Sequence, residues 1–254
     1  MPEDFYENLA GIYDRLTDER ARLSAEIPRL VSELRRIGAH EVLDLGCGTG
    51  GHARALAAEG FNVLGVDPSR TMIERAKTGG GAEGLRFEVA TIGDLASRGV
   101  GRFDAVLCLG NTFPHLVSEE ISLAKISRQV APLVQRGGVL IGQIVNVPWV
   151  EVAGVRMLPV RSWTENGKKA IMTRHYVNTG GNAVLMIVSY LTQRPSDSNW
   201  RATVHQQRLL KIVPMELERA FDSGPWADYR SYGGWNDEPL DINSPSIVFY
   251  TARR

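Results

Sequence analysis

Only two cysteines, Cys47 and Cys108, occur in the 254 residues, and both sit in apolar stretches. Neither belongs to a disulfide framework, so reduced thiols and a cytoplasmic protein are expected. No Cys/His cluster has the spacing of a zinc site, and no metal is expected. Apolar runs fall well short of the roughly 20 residues that cross a bilayer, so no membrane partner is expected. The opening MPEDFYENLAG is acidic and has no apolar centre, so it does not read as an export signal. Neither sign of charge is in excess, with 29 basic and 29 acidic residues. That balance argues against a protein built to grip nucleic acid phosphates. There is no internal repeat and no low-complexity tract. With 43% hydrophobic and 23% charged residues, what remains is a globular chain long enough to bury roughly three quarters of its unfolded surface without a staple.

The first half alternates short apolar runs with helical stretches. Residues 21–37 place Leu23, Ile27, Leu30, Val31, Leu34 and Ile37 at helical spacing, with Gly38 as the stop. Pro28 inside that pattern predicts a kink or a fresh start. Strands are predicted at 41–46, 61–67, 85–90, 103–110 and 137–146. Helices are predicted at 52–60, after Pro68 and Ser69, and at 118–134 with Ser118 as N-cap. Strands apolar on both faces and separated by helices call for a parallel sheet covered on both sides, an α/β architecture. The second half reads differently. Half-buried strands are predicted at 155–163, 169–178, 182–193 and 201–212, with a hairpin turn at NTGGN (178–182). A helix over 214–222 and a strand over 246–252 close the chain.

The strongest local signal is VLDLGCGTGG (42–51), a strand that runs into glycines and then a helix. Glycines allow positive φ and close approach of a ligand. Two cofactor classes fit. Gly46-x-Gly48-x-x-Gly51, with Asp67 ending the next strand, matches the fingerprint of a dinucleotide-binding (NAD-type) oxidoreductase. The alternative begins at Asp44. A pyrophosphate at this loop would be repelled by that carboxylate, whereas the ammonium and sulfonium of S-adenosylmethionine would be attracted to it. Charge therefore favours S-adenosylmethionine, with Asp67 accepting from the ribose hydroxyls.

VLDLGCGTG, GVDPSRTMIERAK (65–77), FDAVLCLGNTFPHL (103–116) and RGGVLIGQI (136–144) resemble the successive motifs of the class I S-adenosylmethionine-dependent methyltransferases. CLGNTFPHL is similar to the stretch found in glycine and sarcosine N-methyltransferases and their bacterial small-molecule relatives. The resemblance implies a Rossmann-like seven-stranded sheet with its last strand antiparallel and an antiparallel β cap inserted after the fifth strand. The expected segments are an N-terminal arm and helix (1–38), a cofactor-binding core (39–147), a substrate cap (148–212), and a closing helix and strands (213–254). It places Asp44, Gly46, Cys47 and Gly48 on the methionine part of the cofactor and Asp67 on the ribose. Pro68 and Met72 would lie near the adenine, and Leu109 and Asn111 beneath the sulfonium. Where the family often carries an acid for the adenine amino group, this chain has Thr91, followed by the backbone of Ile92.

The implied reaction is in-line transfer of a methyl group to a small molecule, more readily to nitrogen than to oxygen. A cofactor-binding protein of this fold without turnover is the other alternative. Asn111-Thr112-Phe113-Pro114 is not the motif of amino methyltransferases acting on nucleic acid bases, and no Pro-Cys pair exists for attack on cytosine. Candidate catalytic residues are His115, Tyr13 and Tyr6. His115 reads equally as a helix-start histidine, and the two tyrosines as pins for the arm, FYENLAGIYDRL (5–16). Asn111, His115, Arg174, His175 and Arg208 are candidate acceptor ligands, the arginines offering a fork for a carboxylate. His175 and both arginines read more readily as sheet-face residues. The five tryptophans all lie in the second half and read as core or as an aromatic wall. The oligomeric state is left open.

Overall fold

Glu41–Leu45 contributes a strand whose interior residues are buried on both faces, which only a sheet with layers on each side can satisfy. The computed structural model describes residues 10–99 and 101–254 and supplies those layers. The strands, in chain order, are β1 Glu41–Leu45, β2 Asn62–Asp67, β3 Leu85–Val89, β4 Phe103–Cys108, β5 Val134–Val145, β6 Val155–Met157, β7 Arg161–Glu165, β8 Lys168–Asn178, β9 Ala183–Gln193, β10 Arg201–Leu210, β11 Trp226–Tyr232 and β12 Ser246–Arg253. Seven of them form one sheet in the order β11-β12-β5-β4-β1-β2-β3, in which β12 runs antiparallel to both neighbours. This is the α/β, Rossmann-like methyltransferase sheet expected from the motifs. β6 to β10 form a separate antiparallel sheet after the fifth strand.

Alternation divides the core between the two faces of the main sheet. Leu43 and Val106 face a layer holding Leu95, Ile126, Phe221, Trp226 and Phe249. Val42, Ala105 and Leu107 face the other layer, with Leu30 and Leu34 of the long helix Glu19–Arg36 and Leu56 of the helix Gly51–Ala58. Trp226 is fully buried, and its indole donates to Ser127 Oγ at 2.8 Å. The inner face of the second sheet carries Met172, Tyr176, Val184, Met186, Val188 and Leu209 over Leu16 and Val150.

Several boundaries differ from the sequence reading. The long helix passes through Pro28 without a fresh start. Ser118 is not a helix N-cap. It closes a turn, accepting from the N–H groups of Glu120 and Ile121, and the helix Leu123–Val130 is capped by Ser122 instead. The span 155–163 divides into β6 and β7, which pair with different ends of β8. A helix at Ile92–Arg98, built on a Thr91/Asp94 capping box, was not foreseen. Nor was β11, an edge strand whose pattern is interrupted by a bulge at Asp228, φ 56°. Among the described residues no helix is long and apolar enough to cross a membrane.

Candidate active site

The glycine loop joins β1 to the helix Gly51–Ala58, and the Gly46, Cys47, Gly48 and Gly50 N–H groups are already engaged. Gly46 and Cys47 donate to Val66 O at 2.8 and 2.9 Å, and Gly48 donates to Asp67 Oδ2 at 3.0 Å. A phosphate cradle needs such N–H groups turned toward the ligand, so this loop is poorly suited to a pyrophosphate. Gly46 holds φ +75°, and a Cβ there would strike the Thr112 side chain. Gly48 holds φ +55° with the Tyr13 ring 3.2 Å from where a Cβ would stand.

Asp44, on β1, is 2% exposed. The backbone of Ala53 donates a hydrogen bond to its carboxylate, and Oδ2 has no hydrogen-bond partner. Burial pushes its carboxyl up to about 6; Asp67 adds to that, while His52 and Arg22 oppose it. An unpartnered buried carboxylate oxygen is costly and matches a cation arriving as ligand. Asp67 accepts from Gly48 and Ser69 backbone N–H groups, the latter at 2.9 Å, and burial raises its carboxyl above the ordinary value. Its oxygens keep lone pairs for hydroxyl donors. Burial also pushes the Cys47 thiol well up, with Asp44 and Asp67 adding to it, which removes any nucleophilic role.

Arg22 was not singled out in the sequence. It comes from the long helix and lines the same cavity as Asp44, Gly46, Cys47 and Leu109. Glu26 lies 3.5 Å from Arg22 Nε and accepts from His52 at 2.6 Å. Burial raises the Glu26 carboxyl, but the His52 hydrogen bond and the Arg22 charge outweigh it and hold it below the ordinary value. The cavity thus pairs an orphan carboxylate with a held guanidinium, matching a zwitterion. The only sequence signal for Arg22 is its spacing four residues before Glu26, common on any helix.

The described part of the arm covers this cavity. The short helix Tyr13–Thr17 brings Tyr13 and Thr17 to its lining, and Asp14 accepts from Thr49 Oγ1 of the glycine loop at 2.6 Å. On its other side Arg15 forms two hydrogen bonds to Glu165 of β7 and stacks on Trp163, while Asp18 pairs with Arg161 at 2.7 Å. At about 30 Å³ the cavity has room for a water or two. Tyr6 lies outside the described residues. Burial raises the Tyr13 hydroxyl pKa.

A second cavity, of about 260 Å³, shares Tyr13, Thr17, Arg22 and Gly110 with the first. Its floor is the turn after β4. Asn111 holds φ +70°, which asparagine tolerates, and its Oδ1 accepts from Val145 N at 2.9 Å. His115, on the short helix Phe113–Leu116, also lines it, and burial lowers its imidazole to about 4. Arg174 enters from β8, with its Nε buried and unpartnered. His175 and Arg208 do not join it. Pairing sets Arg174 on the inner face with Val188, so His175 points outward, and Arg208 lies opposite Leu185 on that outer face, bonded to Asn182 Oδ1 at 2.8 Å. A one-residue step along a strand reverses the face.

Where the sequence expects the adenine, the Thr91 hydroxyl both accepts from Asp94 N and donates to Asp94 Oδ2 at 2.8 Å. The capping box therefore claims the group expected to receive an amino proton. The side chain of Ile92 packs in the core, and its N–H stands in the first turn of the helix. Met72 is buried and Pro68 exposed. Of the tryptophans, Trp149 lines the second cavity, Trp163 stacks on Tyr190, and Trp226 and Trp235 are core.

A family model described as a methyltransferase domain matches residues 42–138. Glycine/sarcosine N-methyltransferase of Parasynechococcus marenigrum (strain WH8102) is 36% identical over 141 residues, which is 55% of this chain and 50% of that protein. The chain spans about half the length of the curated relatives it matches. A solved S-adenosylmethionine-dependent methyltransferase from Clostridium acetobutylicum has a TM-score of 0.75 at 18% identity, over 98% of each chain. The sugar N-methyltransferase KedS8 from Streptoalloteichus has a TM-score of 0.73 at 23% identity, over 95% of this chain and 92% of that one. Likeness at such identities is likeness of fold. The stretch matched by the methyltransferase-domain model contains the glycine loop, Asp67 and the turn after β4.

Proposed function

We propose that this chain, a class I S-adenosylmethionine-dependent methyltransferase by its matched core and its fold, methylates an amine nitrogen of a small molecule held in the second cavity. The observation that carries the reading is Asp44, a buried carboxylate with one unpartnered oxygen beside a glycine loop in which the Gly46, Cys47 and Gly48 N–H groups are already bonded. A cationic donor relieves that cost and an anionic one adds to it. When bound, S-adenosylmethionine supplies a methyl group activated by its sulfonium. Asp44 and Arg22 hold the ammonium and carboxylate of its amino acid part, and Asp67 holds the ribose. Gly46, Cys47, Gly48 and Leu109 give shape to the same pocket.

The chain's own contribution is alignment and exclusion of water, which together lower a displacement barrier by several kcal/mol. The arm, with Tyr13 over the loop, closes the donor side, and the cap closes the acceptor side. Asn111 and Arg174 position the acceptor, the guanidinium fork receiving a carboxylate. Arg174 Nε is buried without a partner. His115, lowered to about 4, is neutral at pH 7 and accepts a hydrogen bond rather than storing a proton. An amine that enters as its free base becomes an ammonium as the N–C bond forms and sheds its proton to solvent, so no strong base is required. The names of the relatives, glycine/sarcosine and sugar N-methyltransferases, favour nitrogen over oxygen. The reading includes a cytoplasmic location, where both free thiols stay reduced.

The test is transfer of tritium from methyl-labelled S-adenosylmethionine to a panel of amines and alcohols, alongside titration with S-adenosylhomocysteine and with NADH. Label in N-methyl products is expected. Label only in ethers overturns the nitrogen acceptor, and S-adenosylhomocysteine binding without turnover on any acceptor points to an interaction subunit.

A further inference from the structure

The second cavity is amphipathic, and its two ends come from different elements. Tyr13, Thr17, Arg22 and Gly110 line it where it meets the donor cavity, and Asn111 and His115, after β4, add further polar groups. The cap supplies apolar ones. Tyr176 and Met186 are direct cross-strand neighbours on β8 and β9 and are 4% and 6% exposed. Leu158 follows β6, and its N–H donates to Arg174 O at 2.8 Å, so its side chain and the Arg174 guanidinium enter from adjacent points. Trp149 is fixed by Arg156, whose Nε donates to Trp149 O at 2.8 Å and whose guanidinium lies 4.8 Å from the ring centroid. Beside them on the same face Met172 and Val188, together with Val150, are packed and buried, which holds the wall in place.

The cavity of about 260 Å³ exceeds the ~150 Å³ that accepts a benzene molecule in a protein interior. Glycine or sarcosine would leave the apolar end to waters with few polar partners. We infer that the acceptor is an amino acid carrying a large apolar side chain, leucine-like or benzyl in size, with its carboxylate on Arg174 and that side chain against Leu158, Tyr176, Met186 and Trp149. This rests on the N-methyltransferase reading above and goes beyond it, since the similar proteins named for their acceptors are glycine/sarcosine and sugar N-methyltransferases.

The experiment compares kcat/KM for glycine, alanine, leucine and phenylalanine at saturating S-adenosylmethionine. One methylene in a fitted apolar pocket is worth about 10–200-fold, so phenylalanine or leucine is expected to exceed glycine by at least tenfold. In Met186→Trp, which fills the apolar end, that ratio should fall toward one. Titration with S-adenosylhomocysteine confirms that the variant is folded. Methylation of glycine as well as or better than leucine and phenylalanine overturns the inference and leaves the N-methyltransferase reading standing. No transfer to any amine, with S-adenosylhomocysteine bound, overturns both.

Discussion

Replacing Asp44 with Asn tests the electrostatic basis of the site through the stability of the free protein. The Asp44 carboxyl is raised by burial from 3.8 to about 6. A raised pKa means that the folded state binds the proton more tightly than the unfolded chain. Stability from this group is therefore complete below pH 3.8 and is lost as pH rises through about 6. At 1.36 kcal/mol per pH unit, the folded state gives up about 3 kcal/mol across that window. Asp44→Asn removes this slope and leaves the contributions of Asp67 and Glu19, both also raised by burial, in place. Urea unfolding of both proteins between pH 4 and 8 should show the stability difference moving toward the variant by about 3 kcal/mol. Saturating S-adenosylhomocysteine, which keeps the amino acid ammonium, should flatten the slope in the native protein, and calorimetry should find binding to the variant weakened at least tenfold. Parallel pH profiles for the two proteins would refute the placement of a strained carboxylate at the glycine loop.

Further outcomes follow from the same geometry. Arg174→Gln should raise KM for a carboxylate-bearing acceptor at least tenfold with little change in KM for S-adenosylmethionine, and Arg174→Lys should restore part of it; steady-state kinetics decide this. Gly48→Ala places a side chain at φ +55° against the Tyr13 ring and should cost about 1–2 kcal/mol of stability, with weaker S-adenosylhomocysteine binding by calorimetry. Phe249→Ala empties a fully buried site that contacts Phe113 and Phe221, so chemical denaturation should register a loss of about 3–5 kcal/mol.

The parallel core was legible because its central strands are buried on both faces and read as apolar runs, as in VLGV (63–66) and AVLCL (105–109). The glycine loop was legible because only a few residues can adopt its backbone. Elements with weaker local signals were not. β11 sits at an edge, is half polar and carries a bulge, so neither alternation nor continuous hydrophobicity marks it. The helix after β3 depends on a capping box whose members, Thr91 and Asp94, are ordinary loop residues until they meet. Ser118 and Ser122 are both plausible caps, and packing of Leu123, Ile126 and Val130 against the sheet chose the second.

By itself the sequence determined the sheet type, the position of the ligand loop and the sign of the charge beside it, because these rest on local pattern and on residue chemistry. Tertiary structure alone decided which side chains share the second cavity. Strand register turned Arg174 inward and His175 and Arg208 outward. The fold of the long helix over the loop carried Arg22, held by Glu26 and His52, to within reach of Asp44. These are relations between residues far apart in the chain, and they are set by which faces must be buried together.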